Sequence, residues 1–186
     1  MSTSNNKNVS ITKQYKTPVW VWTLALVPVI SSLLFLMILA DMLPFIELEI
    51  FYTNSSGELA WHTSGILVLV LAIAAWGACG FLYGYFRAKM WVSVLTANAL
   101  PIISAVVYTV LVLASFFCRD SSPALSVKIM EKALWSSVGM GLFSYIDTFI
   151  YGFFSLGNFG LYVDLVFIIF TFVAGYTIGK SKRLKA

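Results

Sequence analysis

Long apolar runs alternate with short polar stretches along this chain. Four runs, roughly 18–43, 63–86, 91–117 and 159–179, are long enough to cross a ~30 Å hydrocarbon core as helices. A fifth run, roughly 133–156, is broken up by Gly139, Gly141 and Gly152, by Ser136, Ser137, Ser144 and Ser155, and by Asp147. Before the first run, residues 1–15 are polar and predict a disordered cytoplasmic tail. The first run is too long for the core of a signal peptide, and no small-residue cleavage site follows it. It predicts a retained anchor.

Charge decides whether the fifth run crosses. With the N-terminus inside and four spans, the inner side holds Lys7, Lys13, Lys16, Arg87, Lys89, Lys180, Lys182, Arg183 and Lys185 and no carboxylate. The outer side then holds Arg119, Lys128 and Lys132 with all eight acidic residues, a net 3 − 8 = −5. Five spans would split the basic residues five against seven. Cytoplasmic loops of membrane proteins carry the excess of Lys and Arg, which favours four spans with both termini cytoplasmic.

Residues of about 121–157 therefore predict an outer interfacial or re-entrant helical segment. Ser121 and Ser122 before Pro123 read as a helix start. Apolar residues from Leu125 to Phe149 recur at helical spacing, with Gly139 and Gly141 as expected breaks. In the first outer loop, alternation over Ile46-Glu47-Leu48-Glu49-Ile50 suggests a short extended or interfacial piece.

The first and third spans resemble each other. Shifting the numbering by 73 aligns 16–31 with 89–104 without a gap, and seven of the sixteen positions are identical, including Pro28/Pro101 and Ser31/Ser104. The second and fourth spans end alike, in Gly80-Phe-Leu-Tyr-Gly84 and Gly175-Tyr-Thr-Ile-Gly179. The chain thus predicts an all-α integral membrane protein. Its four transmembrane helices form two tandem helical hairpins, a parallel pseudo-repeat with halves 16–90 and 91–186 in one membrane domain 16–186.

Pro28 and Pro101 lie inside their spans, where a missing N–H kinks a helix. Ser31 and Ser104, three residues on, are candidates to satisfy the freed backbone groups. Gly80, Gly84, Gly175 and Gly179 form two small-xxx-small motifs, which let helices approach closely inside the bundle or in a homodimer. Asp164 and Asp147 are the acids nearest the hydrocarbon, and intramembrane carboxylates are functional candidates. Asp164 also sits near a helix start, which favours negative charge without any function. Asn98 is expected to bond across helices. Glu58 and His62 have i, i+4 spacing, compatible in principle with acid–base or metal work, though a single His at an interface is more often part of an aromatic belt.

Composition narrows the classes. Sixty per cent apolar residues, 11% charged and a mean hydropathy of +0.88 exclude an ordinary soluble domain. The pI near 9.1 does not signal nucleic-acid binding, because the basic residues flank apolar spans. Cys79 and Cys118 fall at different depths, so neither a disulfide nor a closed Cys/His zinc site is expected. No phosphate-binding loop, zinc-protease helix or nucleophile elbow occurs, and no cofactor is implied. The leading reading is a non-enzymatic multi-pass protein of the cell membrane. It would be a small-solute or lipid transport component, or an accessory subunit with a membrane-protein partner. The alternatives are an intramembrane enzyme acting on a lipid or peptide at the outer face, and a ligand-free packing or regulatory protein.

Overall fold

The computed structural model describes residues 17–43, 45–46, 51–86, 88–144 and 160–184. Its helices are α1 (Leu26–Leu39), preceded by the 3-10 turn η1 (Val19–Ala25), α2 (Thr63–Tyr85), α3 (Met90–Ala97), α4 (Ala99–Cys118), α5 (Pro123–Trp135), the 3-10 segment η2 (Ser136–Phe143) and α6 (Gly160–Leu184). Four of these stretches, Val19–Leu39, Thr63–Tyr85, Ala99–Cys118 and Gly160–Leu184, are long and apolar enough to cross a membrane. The only sheet among the described residues is a short antiparallel hairpin of β1 (Phe51–Thr53) and β2 (Leu59–Trp61).

Both proline-bearing spans change their helical geometry before the proline. Proline has no N–H, so the carbonyls four residues back, of Leu24 and Ala97, lose their helical donors. In the first span η1 gives way to α1 at Leu26. In the third, α3 stops at Ala97, and Asn98 (φ −113°, ψ 20°) joins it to α4. Ala25 and Asn98 are 98 − 25 = 73 positions apart, so the change of geometry falls at matching positions of the two spans. The sequence predicts kinks at Pro28 and Pro101; the change of geometry lies three residues earlier, where the lost hydrogen bond falls.

The closest helix pair is α2 with α6, the second and fourth spans, rather than the two members of either sequence hairpin. A β-carbon on Gly80 or Gly84 would overlap the backbone carbonyls of Phe172 and Tyr176. One on Gly175 or Gly179 would overlap those of Gly77 and Phe81. These contacts obey a two-fold rule, since 175 − 80, 179 − 84, 172 − 77 and 176 − 81 all equal 95. Residue numbers rise together along the seam, so α2 and α6 run parallel. Absence of side chains at these glycines is what lets two backbones meet. Both motifs are used within the bundle.

At the far end of α1, Asp41 adopts φ 57°, a left-handed position tolerated by Asp, and the Met42 amide returns to the Met37 carbonyl at 2.9 Å. α5 starts at Pro123 as expected, although the Ser122 side chain makes no capping bond. The helical periodicity predicted on to Phe149 stops at Trp135, where η2 begins; beyond Ser144 the prediction lies outside the described residues.

Candidate functional site

The interior holds an unusual share of polar side chains for so apolar a chain: Ser31, Ser93, Asn98, Ser104, Ser144 and Asp164 are all buried. Ser31, Ser104 and Ser144 lie at η2. This segment lies between α1 and α4, against the paired helices α2 and α6. Met140 and Phe143 in it are fully buried.

Two glycines fit η2 into place. A β-carbon on Gly139 would overlap the Ser104 side chain, and one on Gly141 would overlap Ser31. Gly141 also takes φ 59° and ψ −141°, a conformation open to glycine and costly for other residues. Directly after this bend, the Leu142 amide donates to Ser31 Oγ at 2.9 Å. Ser31 and Ser104 occupy the same repeat position, and each meets one glycine of η2. The expected role of these serines, repairing the backbone of their own kinked helices, is corrected for Ser31: its hydroxyl serves the amide of a distant segment.

Asn98 stands where the repeat has Ala25 and bridges three elements. Its Oδ1 accepts from Trp76 Nε1 on α2 at 2.9 Å, and its Nδ2 donates to the Val94 carbonyl at 2.9 Å. The cross-helix bond expected of Asn98 is present. Trp76 in turn meets Phe143 of η2 edge to face, with ring centroids 5.0 Å apart. A continuous path therefore runs from the α3–α4 bend through Trp76 to η2.

Asp164 lies in the second turn of α6 on the buried face shared with Leu161, Ile168 and Phe172, and is 1% exposed. Beside it in sequence, Tyr162 shares a hydrogen bond with Thr109 of α4 at 2.8 Å, and its ring meets Tyr108 edge to face. The Ser32 hydroxyl is buried with no hydrogen-bond partner among the described residues.

The remaining candidates separate from this cluster. Glu58 is exposed in the β-hairpin turn, where its amide donates to Asn54 Oδ1 at 2.9 Å. His62 caps the start of α2 and is half-buried. Their i, i+4 spacing is not helical, because β2 lies between them. Asp147 lies outside the described residues. Cys79 is a buried free thiol and Cys118 a half-buried one. Among the described residues no three His, Cys, Asp or Glu side chains converge.

Sequence reasoning missed Trp76 and the pairing of Ser31 with η2. The first carries no motif. The second was signalled by the identical serines of the repeat and by the closely spaced Gly139 and Gly141. No family model, curated protein or solved structure matches the chain.

Proposed function

We propose that this protein is a small-solute transport component of the cell membrane, built as two tandem helical hairpins in a parallel pseudo-repeat, with both termini cytoplasmic. The observation that carries the reading is η2, a short irregular segment held between the two halves by repeat-equivalent serines. Irregular backbone at membrane depth is tolerated where protein covers it or it lines a polar cavity. Ser31 lies twelve residues after Val19, the first residue of its span, so the segment reaches roughly mid-bilayer at 1.5 Å per residue.

The parallel course of α2 and α6 supports this topology. The α3–α4 span carries the chain back across, so the residues between α4 and α6 must begin and end on one side. In this reading η2 is a re-entrant plug over a polar interior of Asn98, Ser104 and Asp164. Movement of η2 away from Ser31 opens this interior to the outer side. Inner loops this short leave energy coupling to a membrane-protein partner.

A small polar solute fits better than a lipid, because the polar groups lie in the middle of the bundle. The test is uptake into proteoliposomes of a panel of amino acids, sugars and monovalent cations, alongside a scrambling assay with a fluorescent phospholipid. Uptake of one solute class by the wild type, lost in Asp164→Asn and in Gly139→Leu, is the expected result. Scrambling without uptake, or neither activity, overturns the proposal.

A further inference from the structure

A second feature lies toward the end of α4, beyond the stretch around Ser104 that meets η2. The end of α4 and the start of α5 enclose a groove of about 470 Å³. Its floor is closed by Ser115 and Ser126: each hydroxyl donates or accepts across the helix pair, with Ser115 Oγ 3.0 Å from the Ser126 carbonyl and Ser126 Oγ 2.9 Å from that of Ser115. These bonds leave the floor with little polar demand of its own. Val112 and Phe116 of α4 and Val127 and Met130 of α5 form the walls. Phe116 and Val127 are about two-thirds exposed, at 68% and 69%.

Arg119 stands at the rim, one residue past α4, and no described carboxylate pairs with it. An exposed apolar trough that leads to a guanidinium at the end of a membrane span matches the chemistry of part of a phospholipid, an acyl chain joined to a phosphate. Arginine matches the phosphate oxygens in a two-pronged fork, and the apolar walls match an acyl chain. Lys128 and Lys132, also exposed on α5, fall on the face turned away from Ser126, Val127 and Met130, so Arg119 is the cation of this groove. A smaller groove on the other side of α5, about 240 Å³ between Phe35, Leu39, Leu134 and Val138, carries Glu131 instead of a cation. Of the two grooves, the one at Arg119 has a cation in its lining.

We propose that the α4–α5 groove binds one phospholipid with an anionic headgroup, its acyl chain along Val112, Phe116, Val127 and Met130 and its phosphate on Arg119. The site is separate from η2, so it stands whether or not the protein moves a solute.

The full chain, purified in mild detergent, is mixed with phosphatidylglycerol or phosphatidylcholine and analysed by native mass spectrometry. One tightly retained phosphatidylglycerol is expected, with phosphatidylcholine held more weakly. Arg119→Ala should weaken retention roughly tenfold, the scale of one charge-assisted hydrogen bond. Val127→Trp, which fills the trough and leaves Arg119 in place, should weaken it too, so a folding defect in one variant does not decide the result. Glu131→Gln and Lys182→Ala should leave retention unchanged. Excess inorganic phosphate should not displace the lipid; displacement would show an anion site without a chain site. Equal retention of the two lipids, or no loss in either groove variant, overturns the proposal.

Discussion

The Ser31 hydroxyl accepts the Leu142 amide at 2.9 Å, a bond across 111 residues of chain. It fixes an irregular segment against the first span at the position where the third span presents Ser104. Gly141→Ala is expected to break this arrangement twice over, through its positive φ and through overlap with Ser31. The cost should be about 2–4 kcal/mol. Unfolding in detergent checks this, and Ser31→Gly in the same chain should return part of the loss by making room. Full stability of Gly141→Ala would refute the described position of η2.

The seam between α2 and α6 predicts equal sensitivity on its two sides. Gly80→Ala and Gly175→Ala should each destabilise by about 1–3 kcal/mol, because each forces the backbones apart. Gly77→Ala should be nearly neutral, since its added carbon meets only the Thr171 side chain at 3.9 Å. Steric trapping or SDS titration reads all three. A large difference between the Gly80 and Gly175 variants would contradict the two-fold seam.

Trp76 and Asn98 should prove coupled. Asn98→Leu leaves a buried indole N–H without its acceptor and should cost about 1–3 kcal/mol. Once Trp76→Phe is present, the same change should cost less, with a coupling of about 0.5–2 kcal/mol. Additive effects in this double-mutant cycle would mean that the bond contributes nothing.

The parallel course of α2 and α6, taken with cytoplasmic placement of the Lys/Arg-rich ends, makes a topology prediction. Reporters fused after Lys89, Arg119, Gly157 and Ala186 should read inside, outside, outside and inside. A cytoplasmic signal at Gly157 would require a fifth crossing and exclude the plug.

Periodicity and charge were enough to find the four long helices, because length and apolarity are local properties. The two small-xxx-small motifs were visible for the same reason, but which helix each would meet was not. That choice depends on two backbones fitting together, which no single segment encodes. Asn98 stood out as a polar residue in an apolar span, whereas its partner Trp76 looks like any other apolar side chain until the helices pack. Glu58 and His62 read in sequence as neighbours on a helix, whereas Asn54 and Gly57 turn that stretch into a hairpin and β2 lies between the two residues.

Gly139 and Gly141 make unlike demands on the two serines they meet. Both serines hold the same place in the repeat, but there is one η2 for the pair of them. One serine receives an amide and the other only gives way to a glycine. A single occupant on a two-fold axis ends the equivalence of everything around it. From there the matching positions need not stay alike, as Ala25 and Asn98 do not, and a scaffold with similar spans acquires a front and a back.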